Sequence, residues 1–215
     1  MNLNKLISQP DALRNEQWEE ELLGLLPSLD CRILTDTPQT GPDGWPYLFV
    51  EIGEGVEGEP VTEVFQWLLN QGVGLALNPQ KPTPDYVLTY GQLWLYQTTG
   101  KFFADHEPVM EGGGLFEIAE GEVIVAGPPT EEYFPTYARK IVKEFLSQQG
   151  VEDPRVLVMS EQGDAFDLCF SAESLGNPPQ EEHMGILEAL SWFFPASYSL
   201  VLIGEEGLPE FTSLA

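Results

Sequence analysis

Two histidines in this sequence stand beside acidic residues and have the side-chain types of metal ligands. His106 lies in the triplet Asp105-His106-Glu107, and His183 follows the pair Glu181-Glu182. Neither has a second histidine four residues away, so a helix cannot present two imidazoles on one face as a zinc hydrolase does. We therefore expect both side chains to lie on solvated surfaces, and we expect no metal site and no cofactor.

Nucleophilic catalysis needs an activated serine or cysteine beside a base. The sequence has no Gly-x-Ser-x-Gly motif, and its two cysteines, Cys31 and Cys169, lie in apolar, strand-like runs. Reactive thiols need an electropositive and partly exposed setting. Both cysteines are therefore predicted to be inert core thiols, which is typical of a cytoplasmic protein.

Phosphate-binding loops are also missing from the sequence. The run Gly112-Gly-Gly114 lacks a following lysine, so it indicates a turn rather than a nucleotide site. Asp164 and Asp167 could form a carboxylate pair for acid–base catalysis, but Asp164 falls in a predicted hairpin turn, where aspartate is favoured for local hydrogen bonds. The sequence predicts a protein that is not an enzyme. A metal-assisted hydrolase using Asp105, His106 or Asp164 is the alternative.

The charge balance is the strongest global feature. The chain has 35 acidic and 9 basic residues, a formal net charge of −26. Nucleic-acid binding needs cations that displace condensed counterions, and an anionic membrane surface would repel this chain. We therefore expect neither partner. A basic protein partner is compatible with this charge, because complementary fields speed encounter. The alternative is that the charge only keeps the protein soluble.

Apolar periodicity and turn residues predict a series of helices and strands in the first half. The clearest helix begins at Pro60, where apolar residues recur at helical spacing. Its predicted buried stripe is Val61, Val64, Phe65, Leu68 and Leu69. The other predicted elements are a helix at 11–26 and strands at 31–35, 45–52, 74–77, 86–89 and 92–96.

The second half shows a similar order. Helices are predicted at 130–149 and 178–194, and strands at 155–160, 165–171 and 197–203. The region between the halves is less regular and contains an apolar run, Val123 to Ala126. We expect a first unit at 1–99, a connecting strand region or linker at 100–129, and a second unit at 130–215.

The two halves suggest an internal repeat. Without gaps, Trp67 aligns with Trp192, Leu75 with Leu200 and Leu77 with Leu202. The alternative is that any helix packed on a sheet produces such a pattern. The predicted fold class is α+β, with two similar αββαβ units, mainly antiparallel sheets and helices packed on one face.

This order of elements resembles the type III secretion chaperone-like fold, including YbjN-like bacterial domains. The segment from Gly72 to Pro79 is also similar to a stretch of SseB-type proteins. The resemblance implies a small acidic α+β protein that binds other proteins and carries no cofactor. Because such chaperones dimerise, it also implies that a tandem copy acts as a pseudo-dimer.

A hairpin predicted at Tyr90-Gly91 suggests a contact surface. With a two-residue turn, Val87 would pair with Trp94, and Tyr96 would lie on the same face of the two strands. A mixed aromatic face of this kind is typical of protein–protein contacts. We therefore expect Val87, Trp94 and Tyr96 to bind a partner. The alternative is that this face packs beneath the irregular region that follows Gly100.

Taken together, these features predict a non-enzymatic, acidic, cytoplasmic protein that binds a basic protein partner, as a chaperone or assembly factor does. It would act as a monomer, in which the two halves form a pseudo-dimer, or as a homodimer. An immunity or antitoxin-like protein is a further alternative, because it would also bind a basic partner.

Overall fold

The computed structural model describes residues 3–103, 114–117, 123–160 and 165–214. The chain divides into two compact units, Met1–Phe103 and Ala104–Ala215. The α+β class predicted from the sequence is confirmed, because each unit combines α-helices with one sheet.

The first unit contains four α-helices and six strands in its described residues. The helices are α1 Leu3–Ile7, α2 Glu16–Leu25, α3 Val61–Leu69 and α4 Tyr90–Thr99. The strands are β1 Asp30–Ile33, β2 Gln39–Thr40, β3 Pro46–Glu51, β4 Glu59–Pro60, β5 Gly74–Leu77 and β6 Tyr86–Leu88. The side chain of Asn15 accepts a hydrogen bond from the backbone N–H of Trp18, which explains why α2 begins at Glu16.

The sheet of this unit has the strand order β4-β1-β3-β5-β6, with β2 paired to β3. All neighbours are antiparallel except β3 and β5, which are parallel and are connected through α3. The sheet is therefore mainly antiparallel, as predicted. The apolar stripe predicted for the helix that follows Pro60 is buried along its whole length.

The hairpin predicted at Tyr90-Gly91 is wrong, because the segment after Thr89 is helix α4. Thr89 caps this helix: its hydroxyl accepts from the N–H of Gln92, and the Gln92 side chain accepts from the N–H of Thr89. This reciprocal capping box specifies a helix start. Gly100 ends the helix in the left-handed conformation, at a φ of 71°.

The second unit contains two α-helices and six strands in its described residues. The helices are α5 Thr136–Gln148 and α6 Gln180–Ser191. The strands are β7 Gly114–Glu117, β8 Val123–Gly127, β9 Arg155–Ser160, β10 Asp167–Ser171, β11 Ser199–Ile203 and β12 Thr212–Ser213. Helix α5 begins six residues after Thr130, whose hydroxyl accepts from the N–H of Tyr133 in the preceding turn.

The second sheet has the order β11-β10-β9-β8-β7, and β12 pairs with the beginning of β9. Strand β8 pairs antiparallel with β9. The apolar run Val123 to Ala126, which the sequence predicts to lie in a connecting strand region or linker at 100–129, is therefore a strand paired with the second unit's sheet. Nothing in the sequence of this run identifies its pairing partner, so the sequence alone does not predict which sheet it joins.

Both units share the connectivity α-β-β-α-β, through α2-β1-β3-α3-β5 and α5-β9-β10-α6-β11. In each, two antiparallel strands are followed by a helix and a strand that returns parallel to the second. The aligned leucines occupy equivalent registers, since Leu75 pairs with Leu48 and Leu200 pairs with Leu168. The aligned tryptophans differ, since Trp67 is 45% exposed and Trp192 is 7% exposed. Internal duplication therefore stays a hypothesis.

Candidate functional site

The three residues predicted to bind a partner do not share one face. Val87 is 38% exposed on β6, whereas Trp94 is 1% exposed and belongs to helix α4. Tyr96 is half-buried and stacks on Phe102, with 4.6 Å between the ring centroids. The pairing of Val87 with Trp94 is therefore wrong, because it depended on a hairpin that does not form. A role of Val87, Trp94 and Tyr96 in partner binding stays a prediction.

Both cysteines are buried free thiols, as predicted. Burial raises the pKa of the Cys31 thiol to about 11, and the negative charges of Asp30 and Glu59 add to this rise. Burial likewise raises the pKa of the Cys169 thiol to about 12. At neutral pH both sulfur atoms are therefore protonated and are poor nucleophiles.

The residues considered for metal-assisted chemistry are only partly covered by the structure. Asp105, His106 and Asp164 lie outside the described residues. The His183 ring nitrogen Nε2 lies 3.1 Å from the carbonyl oxygen of Pro178, which fixes the ring against the start of α6. Among the described residues, no group of three or more histidine, cysteine or carboxylate side chains is placed to hold a metal ion.

A groove of about 460 Å³ lies on the first unit between helix α3 and the sheet. The residues that line it are Ile33, Thr35, Asp36, Leu48, Glu59, Glu63, Val64 and Trp67. Pockets of this volume are typical of sites that accept a small molecule or a few side chains. We therefore treat this feature, called the acidic groove below, as the candidate functional site.

One wall of the acidic groove is formed by helix α3 and the residues that precede it. Glu59, Glu63 and Trp67 recur at intervals of four residues, so Glu63 and Trp67 lie on the same side of the helix. This line runs beside the stripe that packs into the core. Glu63 and Trp67 are consequently held by a helix that the core anchors, Glu59 is held by strand β4, and all three side chains remain exposed.

The other wall is formed by the strands. Ile33 on β1 is paired directly with Val50 on β3, so the two side chains point to the same face of the sheet. Leu48, two residues before Val50, points to this face too and meets α3 across the groove. Ile33 is 43% exposed although it lies on the face that α3 covers. The groove therefore lies where helix α3 leaves part of this sheet face uncovered.

The electrostatic character of the groove is uniformly negative. Asp36, Glu59 and Glu63 line it, and none of the nine lysines and arginines does. Arg32 points to the opposite face of the sheet, where it forms an ion pair with Glu51. A cationic group that enters the groove therefore meets three carboxylates and no competing positive charge.

A second acidic site in the same unit is fully occupied by internal partners. Asp85, whose side chain has no exposed surface, accepts hydrogen bonds from Arg14 at 2.7 Å, Lys81 at 2.5 Å and Asn78 at 2.6 Å. Asn78 has a φ of 52°, a left-handed conformation that asparagine tolerates better than most residues. This cluster joins the loop after β5 to the N-terminal segment, and every group in it has a partner.

The sequence analysis did not identify the acidic groove. The sequence does contain a pattern for the wall at helix α3, because Glu59, Glu63 and Trp67 are four residues apart beside a strong apolar stripe. No signal could place Ile33 and Leu48 opposite them, since those contacts join separate parts of the chain.

No protein-family model, curated protein or solved structure matches the chain. The resemblance to type III secretion chaperone-like domains and SseB-type proteins therefore stays a prediction. Within the described residues, no helix combines the length and the apolar character needed to cross a membrane.

Proposed function

We propose that this chain is a non-enzymatic binding protein that holds a basic segment of another protein in the acidic groove. The observation that supports this proposal best is the combination of exposed apolar surface with three carboxylates that no basic side chain of the lining neutralises. A chaperone or assembly factor in the cytoplasm would use such a site.

The two kinds of surface in the groove have different roles in this proposal. Burial of the exposed parts of Ile33 and Trp67 would supply affinity, because apolar surface removed from water contributes about 25 cal/mol per Å². The carboxylates would supply selectivity and a fast encounter with a cationic partner. The net charge of −26 extends this preference over the molecule and disfavours nucleic acids and anionic membranes.

The buried thiols support a non-catalytic role. Cysteine nucleophiles react as thiolates, and in both cysteines burial favours the protonated form. The tandem arrangement of two α-β-β-α-β units is the basis for proposing a monomer that acts as a pseudo-dimer, with a homodimer as the alternative. Sedimentation velocity at several concentrations distinguishes these two states.

A binding measurement with synthetic peptides tests the proposed function. The first probe alternates valine with lysine or arginine, and the second replaces the basic residues with glutamate. We expect the purified protein to bind the basic peptide in low salt and to bind it more weakly at higher ionic strength, because exposed charges are screened. We expect no binding of the acidic peptide. Failure of the basic peptide to bind in low salt would refute the proposal.

Two triple variants distinguish the effect of the groove carboxylates on peptide binding from the effect of the overall net charge. Asp36→Asn with Glu59→Gln and Glu63→Gln removes the three carboxylates of the groove. The matched control, Glu20→Gln with Glu181→Gln and Glu182→Gln, removes the same number of exposed carboxylates elsewhere. We expect only the groove variant to lose peptide binding. An equal loss in both would show that the net charge alone attracts the peptide.

A further inference from the structure

The first unit already contains an arginine held by an indole ring and a carboxylate. The guanidinium carbon of Arg14 lies 4.8 Å from the centroid of the Trp18 ring. The Nη2 atom of the same side chain lies 2.7 Å from Oδ1 of Asp85. The side chain of Arg14 is only 13% exposed, so its methylene groups are packed as well. This arrangement shows that the fold accommodates a stacked, paired arginine.

The acidic groove presents the same chemical groups toward solvent. Trp67 supplies an indole that is 45% exposed, and Glu63 lies one helical turn before it on the same side of α3. Glu59 adds a second carboxylate from strand β4, just before the helix. Ile33 supplies exposed apolar surface on the opposite wall, above the buried Leu48.

These groups match the parts of an arginine side chain. Its guanidinium is planar and weakly hydrated, stacks on aromatic faces and binds carboxylates through a fork of N–H donors. Its methylene groups are apolar and contact apolar surface while the charged end stays near water. A lysine ammonium is compact and strongly hydrated, so it gains less from an indole face.

We propose that the acidic groove is an arginine-binding subsite for the partner protein. One arginine of the partner lies with its guanidinium against the ring of Trp67 and is paired with Glu63 and Glu59. Its methylene groups lie on the exposed surface of Ile33. This inference rests on the proposed function and specifies which type of residue in a basic segment the groove binds.

A set of four peptides that differ at one position tests the subsite. The central residue of a short, capped Val-Lys-rich peptide is arginine, lysine, citrulline or glutamate, and each peptide is titrated into the unmodified protein by calorimetry. Citrulline keeps the shape of arginine and removes the charge. We expect the arginine peptide to bind roughly tenfold more tightly than the citrulline peptide and about threefold more tightly than the lysine peptide.

Two variants test whether the preference for the arginine peptide depends on Trp67 and Glu63. Trp67→Leu keeps an apolar side chain but removes the aromatic face, so we expect it to weaken the arginine peptide more than the citrulline peptide. Glu63→Gln should do the same. The controls are Trp45→Leu, at a half-buried tryptophan outside the groove lining, and Glu20→Gln, at an exposed carboxylate on α2. We expect both controls to leave the preference unchanged.

The outcomes distinguish this inference from the proposed function. If arginine and lysine peptides bind equally well, or if Trp67→Leu weakens the arginine and citrulline peptides equally, the arginine subsite is refuted while the groove remains a site for basic segments. If none of the basic peptides binds the unmodified protein, both proposals fail. The peptide series uses the unmodified chain, so it shows whether the protein prefers arginine even if a variant does not fold.

Discussion

The first unit uses carboxylates and a tryptophan in two places, and the two places differ in where the positive charge comes from. At Asp85 the cations are Arg14 and Lys81 of the same chain, and the carboxylate side chain has no exposed surface. In the acidic groove, Glu63 and Trp67 are exposed, and no lysine or arginine belongs to the lining.

This comparison separates the structural role of the Asp85 cluster from the recognition role that we propose for the same chemistry in the groove. The bonds of the Asp85 cluster join the N-terminal segment to the loop after β5, including a 3.0 Å bond from Lys81 Nζ to the carbonyl oxygen of Ile7. A buried ion pair of this kind is expensive to break, because removing one partner leaves an uncompensated charge. The exposed carboxylates of the groove contribute little to folding, since water already solvates them.

The largest expected effect comes from removing the buried carboxylate. Asp85→Ala leaves Arg14 and Lys81 without their shared partner, so we expect the free energy of unfolding to fall by about 3–5 kcal/mol. Chemical denaturation followed by circular dichroism measures this loss. The matched control is Asp36→Ala in the groove, for which we expect a change within about 0.5 kcal/mol. Equal losses in the two variants would remove the distinction between the sites.

The two tryptophans provide the next comparison. Trp18 is 6% exposed, stacks against Arg14 and donates a 3.0 Å hydrogen bond from Nε1 to the carbonyl oxygen of Leu6. We expect Trp18→Ala to cost about 3 kcal/mol of unfolding free energy. Trp67→Ala should cost clearly less than Trp18→Ala, because almost half of the Trp67 side chain is already exposed, and it should instead weaken binding of the basic peptide. The comparison fails if Trp67→Ala destabilises the protein as much as Trp18→Ala.

The pKa of the Cys31 thiol is sensitive to the negative charges beside the groove. This pKa is raised from 9.0 to about 11, first by burial and then by Asp30 and Glu59. At pH 8 the thiolate population should therefore be on the order of 100-fold lower than in an unfolded chain, and a thiol reagent should label the native protein slowly. Because Glu59 contributes to the shift, Glu59→Gln should increase the labelling rate in a Cys169→Ala background. An unchanged rate would contradict a field from the groove.

The same raised pKa has a consequence for stability. The folded state favours the protonated thiol, so its contribution is fully present below the unfolded pKa near 9.0 and is lost as the pH rises toward about 11. We expect the denaturation midpoint to fall over this range. Replacing Cys31 with alanine should reduce the slope.

The smallest effect is expected for the exposed ion pair on the opposite face of the sheet. The Arg32 side chain is 59% exposed, so Arg32→Gln should change the free energy of unfolding by less than about 1 kcal/mol. Peptide affinity should also stay nearly unchanged, because the side chain points away from the groove. A large loss of peptide binding would show that the opposite face takes part in recognition.

The helix that starts at Tyr90 shows why one element was predicted incorrectly. Leu93 and Leu95 alternate with Gln92 and Trp94, which matches a strand, but Tyr90, Leu93 and Trp94 also match a helix. A short apolar run fits both the helical period of 3.6 residues and the strand period of two. The capping box of Thr89 and Gln92 favours the helix, and it was visible in the sequence. The prediction of two strands treats Thr89 and Gln92 as paired strand residues and not as a helix cap.

The sequence by itself determined the α+β class, the buried stripe of α3 and the large excess of acidic over basic residues. These properties depend on local periodicity and on total charge, which can be read from neighbouring residues and from composition. Only the tertiary structure decided that Ile33 and Leu48 lie opposite Glu63 and Trp67, and that Arg14 reaches Asp85. Those contacts arise from strand pairing and helix packing, which bring together residues that have no relation along the chain.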